Sequence, residues 1–269
     1  MNLIPHNLTE ENYFLDKTYL NCSTLKTYGE CSSKALSISK GEYTQDFSDN
    51  DAILVGKYVD AAVEGTLEEF LENNPKVYSY GKKEKGLRKP FEDANIMIEK
   101  LKNDKYANIL LEGDKQTIYV GEIAGIKVKC KIDNINHETE FFSDFKTARD
   151  IFETQYNPLT KERETFIQFR GYLLQLAFYR EIIRQNTGKL YNASIQAYDK
   201  TKDIRGLALV FQPHELEDAY MEVLELLERH KQALEGNHHR CEKCDYCNST
   251  RLNSLNFNSF AEYLEFVNK

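Results

Sequence analysis

Two aspartates and a lysine stand out in the stretch KIDNINHETEFFSDFKT, Lys131 to Thr147. Asp133 closes one β-branched run, and Asp144 and Lys146 lie two apart in the next, with HETE (residues 137–140) between the runs. Residues two apart in a strand share a face, so Asp144 and Lys146 point one way and Phe145 the other. A turn at residues 137–140 brings Asp133 and Asp144 together across a hairpin. Carboxylates that close repel, and one protonates unless a cation lies between them. Mg²⁺ resolves the conflict, because it accepts one or two carboxylates and fills its octahedron with waters and phosphate oxygens. A bound metal acidifies a coordinated water, and a neighbouring lysine can orient or deprotonate that water or stabilise charge developing at phosphorus. The spacing D…D-x-K thus carries the chemistry of phosphodiester hydrolysis. A surface ion pair of little energetic weight is the other reading of the same three residues.

The elements around this stretch form a mixed pattern. Ser23 or Thr24 opens a short helix within 23–40 that runs into a turn. An imperfect apolar stripe (Ile53, Tyr58, Ala61, Ala62, Leu67, Phe70) predicts one helix over 51–72, with Gly56 and Gly65 permitting close packing, and a second helix follows over 91–103. ANILLEG, QTIYVGEI, IKVKCKIDNI and EFFSDFKT then read as short strands of a meander. In IKVKCKID, Ile126, Val128, Cys130 and Ile132 face one way and Lys127, Lys129, Lys131 and Asp133 the other. Two long helical patterns follow, over 165–188 and from Pro213 to Gly236, with strands in SIQAYDK and IRGLALVF between them. The C-terminal RLNSLNFNSFAEYLEFVNK predicts a short amphipathic helix packed on the body. The fold class is α/β, a central mixed β-sheet flanked by helices.

At 269 residues, 41% hydrophobic and 12% aromatic, the chain reads as one globular domain, 1–269, with a core at about 50–212. No apolar run of membrane-spanning length occurs, and MNLIPHNLTEENYF lacks the basic and apolar regions of a signal peptide, so the expectation is a cytoplasmic protein without a membrane partner. A net charge of −8 excludes a generally basic DNA-packaging surface but not a local DNA-binding groove. The densest basic stretch, YGKKEKGLRKP, reads as a solvated loop. No Gly-rich phosphate cradle and no nucleophile–base–acid triad is present.

Taken in order, Gly56 with Asp60, Ile132 with Asp133, Asp144-Phe145-Lys146-Thr147 and Gln175-Leu176-Ala177-Phe178-Tyr179 resemble the PD-(D/E)xK nuclease superfamily, over roughly residues 20 to 250. The likeness is greatest to its RecB-like and RecE-like branch, the latter being phage or prophage exodeoxyribonucleases. The resemblance implies a restriction-endonuclease-like core and a metal-dependent exonuclease acting on linear double-stranded DNA, with Mg²⁺ (or Mn²⁺) held by Asp133, Asp144 and the carbonyl of Phe145. It makes Lys146 the catalytic lysine and has Gln175 and Tyr179, four apart on one helix face, position DNA. It further implies a homo-oligomer and a single-strand annealing protein as partner. The branch usually carries a histidine where this chain has Asp60, read here as an oxygen ligand replacing it, with Glu64 one turn on and Glu122 as secondary candidates. That departure favours the main rival, a non-catalytic DNA-binding or scaffold protein; an endonuclease or a helicase–nuclease module is the rival within the class.

Cys241, Cys244 and Cys247, in C-x2-C-x2-C, can wrap one metal centre but need a fourth ligand. The resemblance supplies it as Cys31, ahead of the first motif, and implies a [4Fe-4S] cluster joining residues 20–40 to 237–250. The spacing is tighter than that group's usual pattern. A Zn²⁺ site using Cys31, His238 or His239, and free thiols, are the alternatives. Cys130 belongs to the core.

Overall fold

The structure, a computed structural model, describes residues 3–45, 50–158, 160–252 and 254–268. After an irregular N-terminal segment the chain forms β1 (Leu20–Asn21), α1 (Cys22–Glu30) and α2 (Ser32–Ser39). Asn21, rather than Ser23 or Thr24, caps α1 by accepting from the Thr24 amide. Cys31 is extended and breaks the expected single helix in two. The helix expected over 51–72 is also two, α3 (Asp51–Glu64) and α4 (Leu67–Asn73). Gly65 ends α3 at φ 81°, a left-handed cap that only glycine adopts without strain, so its role is to stop a helix rather than to pack. Three single 3₁₀ turns between Pro75 and Lys85 precede α5 (Lys89–Asn103).

ANILLEG is not a strand: Asp104 accepts from the Tyr106 and Ala107 amides and starts α6 (Lys105–Leu110). Local capping overrides the β-like composition there. The meander proper is β2 (Asp114–Ile123), β3 (Ile126–Asn136) and β4 (Phe141–Ala148), and a small hairpin that the sequence reading missed follows as β5 (Thr154–Asn157) and β6 (Glu162–Thr165). Next come α7 (Phe166–Phe169) and α8 (Tyr172–Thr187), separated at Gly171 (φ 58°), then β7 (Asn192–Asp199), β8 (Gly206–Phe211) and α9 (Pro213–Leu234). Short α10 (Asp245–Ser249) and α11 (Phe260–Asn268) complete the described chain. The described part of α11 buries no residue, so its apolar stripe does not pack on the body as expected.

The sheet runs β1-β3-β4-β7-β8 with β2 on the other edge of β3. β4 and β7 are parallel, and β2–β3, β3–β4 and β7–β8 antiparallel. One face packs on α1, α2, α8 and α9, the other on α3 and α5. The first core contains Leu20–Leu36 and Leu216–Ala233, so it reaches well beyond the expected 50–212. Long apolar helices must bury their stripes somewhere, and this face is the surface they share with the sheet.

Lys129, on the polar side of β3, is fully buried, its side chain 0% exposed. Its ammonium donates to the carbonyls of Tyr13 (2.5 Å) and Asp16 (2.7 Å), lies over the Tyr13 ring, and pairs with the Asp16 carboxylate at 3.7 Å. The N-terminal segment is thereby fastened across β3. Lys129→Met should leave two carbonyls unpaired and destabilise the fold by about 2–4 kcal/mol in urea denaturation. Limited proteolysis should then cut within residues 3–19 first.

Candidate active site

One edge of β3 pairs continuously with β2. The other edge pairs with β1 at Val128–Lys129 and with β4 at Asn134–Asn136, leaving residues 130–133 without a strand partner on that side. Asp133 sits at the end of this gap. One further step in register would set it opposite Asp144, but the β3–β4 ladder stops at Asn134–Ser143. Instead the Phe145 amide donates to Asp133 Oδ2 at 3.0 Å.

Two local irregularities open the gap. Val128, Cys130, Ile132 and Ile135 all join the same core, so the expected alternation slips by one at Asp133. Opposite it on β2, Gln116 has φ 50° and the 116–133 pair is missing from an otherwise constant register. In an antiparallel pair a residue's N–H and C=O face the same edge. Phe145 therefore turns its carbonyl, like its amide, toward Asp133. Its side chain lies in the other core, stacked on Tyr198.

Asp144 is 2% exposed. Oδ1 accepts from Gln175 Nε2 at 2.9 Å, and Oδ2 lies 2.5 Å from Lys146 Nζ. Oδ2 is buried, with the Lys146 ammonium as its ion-pair partner. Burial pushes Asp144 up to about 7, with Lys146 opposing and Asp133 adding to the rise. Burial alone would lower Lys146, but Asp144 and Asp133 hold it well above the ordinary lysine range. Its ammonium also stands over the Tyr172 ring at 5.2 Å.

Helix α3 delivers the third acid. Gly56 lets it come close to β4, since a Cβ there would stand 3.3 Å from Thr147 Oγ1. One turn on, Asp60 is pushed up to about 8 by burial, then by Asp133, with Glu64 and Asp144 adding and Lys146 opposing. Glu64 is raised by burial and by Asp133, and it accepts from Gln116 Nε2 at the edge of the cleft. Asp60, Glu64 and Asp133 thus line one cleft, and buried Asp144 and Lys146 are near enough to act on Asp60. Among the described residues these carboxylates are not drawn together as tightly as the four cysteine sulfurs are. Glu122 lies apart: it is exposed, and six residues along the register from Asp133 place it about 20 Å away.

Gln175 stands on α8 as a bridge, its Oε1 accepting from Lys26 Nζ at 3.4 Å. Tyr179, a turn later, is half-buried against the core with Tyr13 and Cys22 nearby, its phenol raised by burial. Its phenol also feels Asp144, so it lies on the Asp144 side of the sheet with Gln175, outside the lining of the open cleft. That cleft is lined by Asp60, Glu64 and Asp133 together with Lys57, Lys131 and the exposed Phe14.

Sequence reading missed Lys26, Tyr172, Lys57, Lys131 and Gln116. Lys57 lies three before Asp60, Tyr172 three before Gln175 and Lys131 two before Asp133, so face periodicity could have found them. Lys26 and Gln116 had no such signal.

Chemically, a buried Asp144 oxygen whose partner is the Lys146 ammonium, an inward Phe145 carbonyl and two acids raised by burial and by their charged neighbours fit a hard divalent cation, whose charge would let all of them ionise. A family model described as a PDDEXK-like domain of unknown function (DUF3799) matches residues 21–250.

The chain belongs to this PDDEXK-like family.

The PDDEXK-like chain also resembles a crystal structure of a Eubacterium rectale protein whose exonuclease assignment is itself provisional, at TM-score 0.83 and 27% identity, covering 94% of this chain and 97% of that one. A second structure, SSO0001, aligns at TM-score 0.40 and 14% identity over 90% and 89% of the two chains. No curated protein matches. The mixed sheet flanked by helices is the restriction-endonuclease-like fold, as the sequence resemblance implied. Among the described residues no helix is long and apolar enough to cross a membrane.

The acid cluster sets a pH dependence. A carboxyl whose pKa is raised on folding binds its proton more tightly in the native state, so native stability falls as pH rises from about 4 toward 8. Without added divalent cation, Asp60→Asn should be at least about 2 kcal/mol more stable than wild type at pH 8 and nearly equal to it at pH 4. Urea denaturation at the two pH values checks this, and a pH-independent difference would contradict the raised Asp60.

Proposed function

We propose that the protein is a metal-dependent deoxyribonuclease that hydrolyses DNA phosphodiester bonds, an exonuclease of the RecE-like phage or prophage type acting on linear duplex. The observation that carries this reading is the opening of β3 from β4 at Asp133, beside a cleft lined by Asp60, Glu64 and Asp133 with buried Asp144 and Lys146 behind it. Membership in the PDDEXK-like family and likeness to the E. rectale structure support hydrolysis over a scaffold role.

Asp60, Asp133, Asp144 and the Phe145 carbonyl would hold Mg²⁺ or Mn²⁺, with Glu64 available from the cleft side. The bound cation would polarise the scissile phosphate and acidify a water. Lys146, held charged by Asp144 and Asp133, keeps its ammonium at that point, where it orients the attacking oxygen and offsets negative charge gathering on the phosphate. Gln175 fixes the rotamer of Asp144 through Oδ1, and Lys26 fixes Gln175 in turn. Lys57 and Lys131 supply a local positive rim on an otherwise acidic protein, where a backbone phosphate can approach. Exposed Phe14 at the same mouth offers a flat face to a base. Asp60 serves where the branch usually has histidine: an oxygen donor suits Mg²⁺ at least as well as a nitrogen. A ring-like oligomer and an annealing-protein partner follow from the RecE-like resemblance.

The test is Mg²⁺-dependent nucleotide release from linear duplex DNA beside a covalently closed circle. The linear substrate should be digested and the circle spared; cleavage of both would point to an endonuclease. Lys146→Ala and Asp144→Asn should each lower the rate by at least about 10³-fold, the loss of several kcal/mol of transition-state stabilisation. Gln175→Ala should cost only about tenfold, since it acts through Asp144. Equal Mg²⁺-dependent rates for wild type and Lys146→Ala would refute the assignment.

A further inference from the structure

Far from the acid cluster, the two ends of the chain meet at four sulfurs. Cys31 interrupts α1 and α2 in an extended conformation and turns its thiol inward, where it is 1% exposed. Cys241, Cys244 and Cys247 approach it from the segment after α9. Cys31 and Cys247 Sγ lie 3.6 Å apart, Cys241 and Cys247 Sγ 4.0 Å apart, and all four Sγ atoms within 4.8 Å of one another.

These spacings discriminate between centres. Four thiolates bound tetrahedrally to one ion at ~2.3 Å stand about 3.8 Å apart. A [4Fe-4S] cubane gives each thiolate its own iron, which spreads the sulfurs over the whole cluster and well beyond 4.8 Å. Moving them outward would meet a fixed backbone. The Cys31 amide donates to the Thr27 carbonyl and its own carbonyl accepts from Ala35, while Ser33 N–H is tied to the His239 carbonyl. On the other side, Arg240 holds the Cys247 carbonyl at 2.9 Å. The histidines are committed elsewhere: His238 bonds Ser33 Oγ at 2.8 Å, and His239 meets this site only through its backbone.

We infer that Cys31, Cys241, Cys244 and Cys247 form a closed tetrahedral site for a single thiophilic divalent ion of the zinc class, and not the iron–sulfur cluster that the family resemblance implies. The local hydrogen bonds suit this. The Cys244 amide points at Cys241 Sγ (3.4 Å) and the Cys247 amide at Cys244 Sγ (3.5 Å), contacts that favour thiolates over thiols. Four thiolates on a dication leave a net charge of −2, and Arg240 and the buried Lys34 stand close by to offset it. Lys34 is locked at 2.6 Å to Asp245, whose other oxygen accepts from Tyr43. With all four positions taken by protein, no site remains for substrate or water, so the centre is a clasp between residues 31 and 241–247. Zinc has no redox change, so the clasp does not sense oxidation as a cluster would.

The protein should be purified anaerobically from iron-replete cells without zinc supplementation, and its metal and inorganic sulfide measured. About one zinc per chain, with no sulfide and no visible iron–sulfur absorbance, is expected. Replacement by Co²⁺ should give the intense visible bands of a tetrahedral thiolate site. Cys241→Ser, which alters a half-exposed ligand, should lower bound zinc at least tenfold and open residues 237–252 to protease while the body stays folded. Cys31→Ser should do the same if it folds. About four irons and four sulfides per chain would overturn the inference, as would a metal-free protein whose segment 237–252 still resists protease. None of these readouts depends on hydrolytic activity, so the proposal stands or falls apart from the active-site reading.

Discussion

Carboxylates that meet out of water repel one another, and in this protein the repulsion is built into the sheet. β3 and β4 pair for three residues and then part, and the acids fall where the pairing ends. Burial and mutual charge lift Asp60 and Asp144 into the neutral range, while Lys146 is held charged by the same neighbours. Such an arrangement is poor for stability and good for binding a cation, because a charge arriving in the gap relieves several unfavourable interactions together. Active sites characteristically concentrate this kind of local conflict.

The remainder of the fold keeps the gap from closing. Two apolar cores, one on each face of the sheet, clamp β4 between α8 and α3, so Asp144 and Phe145 are each held from their own side. Gly56 lets α3 approach near enough for Asp60 to arrive, and Gln175 with Lys26 fixes Asp144 from the opposite face. The N-terminal segment, fastened by buried Lys129, covers the edge of β3 that the parted strands leave bare. An uncovered edge would expose unpaired amides and invite foreign strands.

Much of this was legible from short-range pattern. The β3–β4 hairpin, the shared face of Asp144 and Lys146 and the long helices follow from periodicity and turn residues, and the fourth thiol at Cys31 from the family resemblance. Errors arose where local chemistry competes with composition. ANILLEG is β-like in content, yet the Asp104 cap makes it a helix, and Gly65 and Gly171 stop helices whose apolar stripes continue past them. Alternation places Lys129 on the polar face of β3 but does not report what covers that face.

What the sequence by itself determined is the list of reactive groups and their local geometry: a D-x-K on one strand face, an acid one turn from a glycine, and three cysteines at regular spacing. Only the tertiary structure decided that these groups meet. Asp60 and Asp144 are separated by three helices and two strands, and Cys31 and Cys247 by nearly the whole chain. The slip at Asp133 and Gln116 arises from pairing between strands, and the sulfur spacing from the packing of the chain ends. Periodicity acts over a few residues, whereas closing those distances requires the full set of core contacts to form together. That cooperative closure is why residue types could be read early while the gap, the buried lysine and the size of the sulfur site could not.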